Sequence, residues 1–324
     1  MKSPVSLGAA TLAVLLGLSS GLACPGGADE GRASDMLESM NRALRSLDYE
    51  GTLVYLYENR LETLHLVHRV DSGRVQERLV SLSGPVRAVT RERDRVTCVM
   101  PDGHPISVKS HAGRNLLRSD RIDPAVLADR YQILIEGVAR VAGRDADVLA
   151  IKPRDGLRYG YRFHLDRVTA LPLKSDLIDQ MGEPIEQLMF TSLVLHEDAD
   201  VAEPQAGDQK ATEEPRQEDA GSQISTRWRF EAPPPGFEQV MYDVLRAPSG
   251  AEVEHFVFSD RLSAYSVYIE ADATGGLDGV TRIGAIHAAG RQIDGHQVTV
   301  VGEVPAATVE AAVAGVRAND GATR

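Results

Sequence analysis

The segment 197–225 carries too few apolar side chains to fold. It has one valine, one isoleucine and no aromatic residue, against nine acidic and two basic residues. Such a composition buries too little apolar surface to offset the entropy lost when a backbone is ordered. We therefore predict an acidic flexible linker at 197–225. It separates a large domain at 24–196 from a small domain at 226–318, which a disordered tail at 319–324 follows.

The net charge of −12 is concentrated outside the large domain. Residues 24–196 are almost neutral at −1, whereas the linker carries −7 and residues 226–324 carry −5. A nucleic-acid partner requires a concentration of basic side chains. The charge distribution therefore argues against nucleic-acid binding, and it restricts any basic surface to local faces of the large domain.

Residues 1–23 have the pattern of a secretory signal peptide. Lys2 gives the positive start, the apolar core runs from Leu7 to Leu18, and Gly21 and Ala23 stand at −3 and −1 of a cleavage site. The core is shorter than the roughly 20 residues of a membrane span, and no later segment is long and apolar enough. We predict a soluble exported protein, located in the periplasm if the cell has two membranes.

The two cysteines leave alternatives open. Cys24 directly after the cleavage site permits a lipid anchor, but Gly21 stands where lipoprotein processing prefers leucine, so soluble export is favoured. A Cys24–Cys98 disulfide fits an oxidising compartment, although a flexible N-terminus disfavours it. Cys98 lies in an apolar strand pattern, which favours a buried and unreactive thiol.

The large domain begins with a helix and continues as strands. Apolar residues at helical spacing between Met36 and Leu47 predict the helix, with Ser34 or Asp35 as its N-cap. The period then changes to two, and turn residues separate the segments. The predicted strands are 51–57, 61–70, 76–82, 86–91, 95–100, 131–141, 146–153, 159–166, 172–179 and 184–195.

The first of these strands is apolar at consecutive positions from Leu53 to Tyr57. Side chains alternate between the two faces of a strand, so both of its faces are expected to contact apolar groups. A sheet curled around helices or around a ligand cavity would provide them, and Asp123-Pro124 begins a short helix. We predict an α+β, mostly β chain, whose large domain is an unclosed antiparallel β-barrel with helices.

The small domain is predicted as a separate α+β unit. Asp294-Gly295 is a strong two-residue hairpin signal, and apolar residues on one face predict a helix at 306–317. The predicted strands are 252–259, 263–270, 282–293 and 296–304.

No catalytic or metal-binding pattern is present in the sequence. His65 and His68 are three residues apart in a predicted strand, so they point to opposite faces and are poor co-ligands. There is no Gly-x-Ser-x-Gly elbow, cysteine–histidine signature or phosphate loop. We predict a protein that is not an enzyme and needs neither a metal nor a cofactor.

The segment 158–164, Arg-Tyr-Gly-Tyr-Arg-Phe-His, has the most unusual local composition. The simpler interpretation is an aromatic core face beside a solvated basic face. The alternative is a surface for an amphiphile or an extended peptide, where arginines pair with phosphate or carboxylate. The candidate ligand-binding residues are Tyr55, Tyr57, Arg158, Tyr159, Tyr161, Arg162 and Phe163.

Several long stretches resemble the RseB/MucB family of periplasmic negative regulators of the envelope-stress sigma factor. The resemblance covers nearly the whole mature chain, and ordered matches of this length are more specific than a single motif. The stretches are 49–55, 68–79, 141–150, 159–179, 235–237, 258–267 and 298–305.

This resemblance implies a large domain similar to periplasmic lipoprotein carriers and a small domain that helps bind the periplasmic part of an RseA/MucA-type anti-sigma factor. Binding would shield that factor from regulated proteolysis. Mislocalised lipopolysaccharide or lipoprotein would bind the large domain and release the factor. The candidate partner-binding residues are Trp228, Phe237 and Tyr265. The oligomeric state stays open, a homo-oligomer included.

Two other functions compete with this interpretation. A periplasmic lipid or lipoprotein carrier would explain the large domain, but it has little use for a second domain on an acidic linker. An exported hydrolase is disfavoured because no catalytic pattern is present.

Overall fold

The computed structural model describes residues 26–71, 74–83, 88–92, 95–99, 105–109, 122–196, 227–246, 250–271 and 276–319. The predicted signal peptide, Cys24, the linker and the end of the tail lie outside these residues. No helix within the described ranges has the length and apolar content that crossing a membrane requires.

Eleven strands of the described residues form one antiparallel sheet in the order β6-β5-β4-β3-β2-β1-β11-β10-β9-β8-β7. The strands are β1 (Asp48–Tyr57), β2 (Arg60–Asp71), β3 (Arg74–Ser81), β4 (Ala88–Glu92), β5 (Arg95–Val99), β6 (Pro105–Lys109), β7 (Tyr131–Val141), β8 (Arg144–Pro153), β9 (Gly160–Asp166), β10 (Pro172–Ile178) and β11 (Pro184–His196). The sequence pattern located all of them except β6.

The first and last of these strands are neighbours at the middle of the sheet. β1 pairs with β11, so that Asp48 faces His196 and Tyr57 faces Glu186. β6 and β7 stand at the two ends of the order and do not pair with each other. The predicted unclosed antiparallel sheet is therefore confirmed.

Helix α1 (Gly26–Ser46) packs against this sheet. Its apolar stripe, which includes Leu37 and Met40, is fully buried together with Phe163 and Phe190 of the strands. The predicted N-cap at Ser34 or Asp35 is wrong, because the helix begins earlier. Ala33 is also fully buried and extends the stripe by one turn, but alanine favours helices without giving a strong apolar period.

The expectation that both faces of β1 contact apolar groups is wrong. Burial alternates along the strand, with Tyr49, Leu53 and Tyr55 buried. On the other face Val54 is half-buried and Leu56 is 39% exposed. Leu53 and Tyr55 therefore fill the buried face, while Val54 and Leu56 lie on a face that is only partly covered.

Two local predictions in the large domain are confirmed. Asp123 caps helix α2 (Pro124–Leu127), and its carboxylate accepts a hydrogen bond of 3.0 Å from the Ala125 N–H. His68 is fully buried, whereas His65 lies on the opposite face of β2 and is half-buried. No group of three or more metal-ligating side chains occurs among the described residues.

The small domain contains a six-stranded antiparallel sheet in the order β13-β14-β15-β18-β17-β16, and a two-stranded pair β12-β19. Helix α3 (Ala306–Gly315) contacts β17 and β18. The strands are β12 (Trp228–Phe230), β13 (Glu238–Arg246), β14 (Glu252–Ser259), β15 (Ala264–Ala271), β16 (Gly279–Ile283), β17 (Ile286–Ile293), β18 (His296–Gly302) and β19 (Val316–Ala318).

The hairpin at Asp294-Gly295 is confirmed, since both residues have positive φ and join β17 to β18. The single strand predicted at 282–293 is wrong, because a turn at Gly284 (φ +60°) and Ala285 divides it into β16 and β17. The predicted C-terminal helix also ends early, where Val316 begins to pair with β12.

Candidate functional site: the contact between the two domains

The loop between β14 and β15 carries a buried carboxylate into the large domain. Asp260 is 3% exposed, and one of its oxygens, Oδ1, accepts the N–H groups of Leu262 (2.9 Å) and Ser263 (2.6 Å). The other, Oδ2, accepts Tyr131 Oη–H at 2.8 Å and Arg158 Nη1–H at 2.5 Å. Both carboxylate oxygens are therefore satisfied, and two of the donors come from the large domain.

The guanidinium of Arg158 is the large-domain half of this contact, and its side chain is 0% exposed. Nε donates to Asp155 at 2.9 Å and Nη2 donates to the Pro235 carbonyl at 2.6 Å. Its Cζ lies 4.9 Å from the ring centre of Phe237, a cation–π distance. Burial by itself would lower the pKa of Arg158, but Asp155 and Asp260 raise it, so the group stays charged.

Apolar and polar contacts flank this ion pair. Leu262, from the same small-domain loop, is 2% exposed and belongs to the hydrophobic core of the large domain. Thr308, in the first turn of α3, donates its hydroxyl to the Leu157 carbonyl. Tyr161 Oη donates to Glu303 at 3.2 Å. The two domains are thus joined by a buried apolar contact as well as by polar contacts.

A second contact lies at the turn between β16 and β17. The Gly284 N–H donates to Glu58 Oε1 at 2.8 Å, and the Ala285 N–H donates to Glu186 Oε1 at 3.2 Å. Glu186 Oε2 accepts Tyr55 Oη–H at 2.5 Å. Ala285 is fully buried and packs with Tyr159, as part of a cluster that also holds Leu177.

Four of the candidate ligand-binding residues lie at this contact between the domains. Tyr55, Arg158, Tyr159 and Tyr161 reach the small domain directly or through Glu186. Burial raises the pKa of Tyr159 to about 12. The arginine that could have paired with an anionic ligand pairs instead with carboxylates of the protein.

The three remaining candidates lie elsewhere. Phe163 is a fully buried core residue, stacked on Tyr161 at 5.7 Å. Tyr57 stacks on Tyr55 at 4.9 Å. Arg162 lies on the other face of β9 and donates to Glu136 at 2.5 Å.

The candidate partner-binding residues are buried in the small domain. Trp228, Phe237 and Tyr265 are each no more than 3% exposed and belong to one core. Phe237 also lies under Arg158. A partner protein would therefore meet this core only through the residues that surround it.

Sequence reasoning missed the small-domain residues that make the contact: Asp260, Leu262, Gly284, Ala285 and Thr308. Two signals were available for them. Asp260 lies in one of the stretches that carried the family resemblance. Gly284 interrupts an apolar strand pattern, which commonly marks a bulge or a close backbone approach.

His164, in the aromatic and basic segment, predicts a pH dependence of stability. Burial lowers the pKa of His164, and its Nδ1 has no hydrogen-bond partner within the described part of the chain. Below the unfolded pKa of about 6.5 the unfolded chain binds more protons, so the free energy of unfolding falls as pH drops until the folded pKa is passed. Urea unfolding should show a weaker pH dependence in this window for His164→Gln. As a control, the free energy of unfolding of both proteins should change with pH equally between pH 8 and 9. If the two proteins also show the same pH dependence below pH 6.5, the effect does not come from His164.

The fold and the contact define a class of protein: a two-domain, mostly β binding protein, with an open antiparallel sheet on which a smaller domain docks. The sequence places the chain more narrowly. The profile of the MucB/RseB N-terminal domain matches residues 32–212, and that of the MucB/RseB C-terminal domain matches residues 222–317. The chain belongs to the MucB/RseB family.

Named relatives agree with this assignment. The sigma factor AlgU regulatory protein MucB of Pseudomonas aeruginosa is 35% identical over 315 residues, which are 95% of this chain and 97% of that protein. The sigma-E factor regulatory protein RseB of Escherichia coli is 26% identical over 279 residues, 85% of this chain and 87% of that protein. The solved complex of P. aeruginosa MucA and MucB matches with a TM-score of 0.67 and 34% identity, covering 89% of this chain and 99% of that one.

Proposed function

We propose that this protein is a soluble periplasmic regulator without enzyme activity that binds the periplasmic part of a membrane anti-sigma factor. Binding shields that factor from regulated proteolysis and so restrains the envelope stress response. Mislocalised lipopolysaccharide or lipoprotein binds the large domain and releases the factor.

The observation that carries this proposal is the match to MucB through both domains. MucB of P. aeruginosa is named a regulatory protein of the sigma factor AlgU, and it has been solved in complex with MucA(peri). The 35% identity extends over 95% of this chain. This match over both domains supports the proposal that the chain binds a partner similar to MucA.

The contact between the domains supports the release step. Among the candidate ligand-binding residues, Tyr159 and Tyr161 contact the small domain directly, and Tyr55 reaches it through Glu186. A ligand for these side chains must compete with the docked small domain. Because a ligand shifts an equilibrium only through unequal affinity for its two states, such a ligand favours separated domains. A partner that prefers the docked arrangement is then released.

Capture of the purified full-length protein by an immobilised anti-sigma periplasmic segment tests the proposal. We expect capture without lipid and a reduced yield when lipopolysaccharide is added. Small-angle scattering should show a larger radius of gyration with lipopolysaccharide. Absence of capture in both conditions would exclude the regulatory function. If lipopolysaccharide abolishes capture but the scattering curves are identical, the ligand and the anti-sigma segment compete directly for one surface, and the domains do not separate.

A further inference from the structure

The turn between β16 and β17 enters the large domain as a narrow projection. β16 is exposed along all five of its residues and is an edge strand of its sheet. The tip of the hairpin is covered, since Gly284 and Ala285 are buried whereas Ile283 beside them is 73% exposed. The large domain thus binds a single backbone turn of this hairpin.

The pocket that receives this tip combines apolar walls with carboxylates. Tyr159 and Leu177 form the buried part of the wall, and Tyr161 and Ile185 pack against it. Glu186 is 7% exposed, and the hydroxyl of Tyr55 holds the carboxylate oxygen that the turn does not use. One oxygen of Glu186 is therefore presented to the occupant in a fixed direction.

The contacts in this pocket recognise backbone N–H groups of the bound turn rather than its side chains. Two consecutive N–H groups, of Gly284 and Ala285, each meet a separate carboxylate. A Cβ on Gly284 would come within 3.0 Å of Glu186 Oε1, and the positive φ of this residue suits glycine. The pocket therefore fits a tight glycine-containing turn with a small following residue.

The two contacts between the domains differ in strength. Arg158 and Asp260 are opposite charges with 0% exposed side chains, and breaking such a pair leaves a buried charge without a partner. The turn contributes only neutral N–H groups and a methyl group to its pocket. Replacing the β16–β17 turn in its pocket by another ligand therefore costs less free energy than breaking the Arg158–Asp260 ion pair.

We propose that the pocket formed by Glu58, Tyr159, Leu177 and Glu186 is a receptor for a peptide turn. The β16–β17 tip fills it within the chain, and a glycine-containing turn presented by another polypeptide displaces that tip. The ligand class of this pocket is a peptide backbone turn.

A labelled cyclic peptide with the sequence of residues 280–288 tests the site in the full-length protein by fluorescence anisotropy. Ala285→Glu places a carboxylate beside Glu186 and expels the tip. We expect this variant to bind the peptide at least about tenfold more tightly than the wild-type protein, whose own tip competes at a high effective concentration. Ile283→Glu adds the same charge at an exposed neighbouring position and should bind as the wild-type protein does.

Two further measurements close the test. Gly284→Pro removes the N–H to Glu58 and cannot adopt the positive φ, so it should open the pocket as well. Adding Glu186→Gln to either open variant should weaken peptide binding. A natively folded open variant that binds the peptide no better than the wild-type protein would overturn the proposal. If both variants unfold, the rate of amide hydrogen exchange at Ala285 of the wild-type protein provides the test. Saturating peptide should raise this rate, and an unchanged rate would overturn the proposal.

Discussion

Replacing Arg158 by alanine should undock the small domain and lower the free energy of unfolding by about 3–5 kcal/mol. The variant leaves the buried carboxylate of Asp260 without its ion pair, and it removes the contacts to Asp155, Pro235 and Phe237. Differential scanning calorimetry should show separate transitions for the two domains where the wild-type protein shows coupled unfolding.

A surface pair provides the matched control for this prediction. Arg167 donates to Asp147 at 2.9 Å, but the arginine side chain is 45% exposed. Arg167→Ala should therefore cost at most about 1 kcal/mol. The double variant Arg158→Met with Asp260→Asn removes both buried charges but keeps an Oδ1 acceptor for the Leu262 and Ser263 N–H groups, so it should recover part of the loss. A single-variant effect no larger than that of the surface control would show that the ion pair does not hold the domains together.

Replacing Phe256 by alanine should destabilise the small domain by about 3–5 kcal/mol, because a fully buried ring is lost and a cavity remains. The ring lies 4.9 Å from that of Phe230 and 4.8 Å from that of Tyr242. Thermal unfolding should show the small domain melting first. Capture by the anti-sigma periplasmic segment should fall in parallel, since the small domain is proposed to help bind that segment.

The control for Phe256 is Val280→Ala at an exposed position of β16. Val280 is 44% exposed, so its truncation should change stability by no more than about 0.5 kcal/mol. Full capture by a Phe256→Ala protein whose small domain is unfolded would assign partner binding to the large domain alone.

The strands were predictable because the sheets bury one face. Because burial alternates along a strand, apolar residues recur with a period of two in the sequence. The predicted bounds of β7 and β14 coincide with the observed ones. Short or exposed strands lack that signal. β16, exposed at all its residues, was therefore merged with β17, and β13, with an exposed end, was missed.

The contact between the domains was only half predictable. The aromatic and basic composition of segment 158–164 marked it as unusual, and Arg158, Tyr159 and Tyr161 contact another part of the chain. That part is the small domain, and Asp260 is 102 residues away from Arg158 in sequence. Composition identifies a surface that needs covering, but pairing across such a separation depends on the tertiary arrangement.

The central position of the β1–β11 pair has a consequence for how the large domain forms during synthesis. Thr52 and Ser192, neighbours across this pair, are 140 residues apart in sequence. Contacts at such separations form late, because the entropy of loop closure is lost before the contacts compensate for it. Until residue 196 has emerged, two half-sheets expose β1 and β10 as open edges, which are liable to pair with other chains. The nascent chain therefore depends on rapid completion of β11 or on a chaperone that covers those edges.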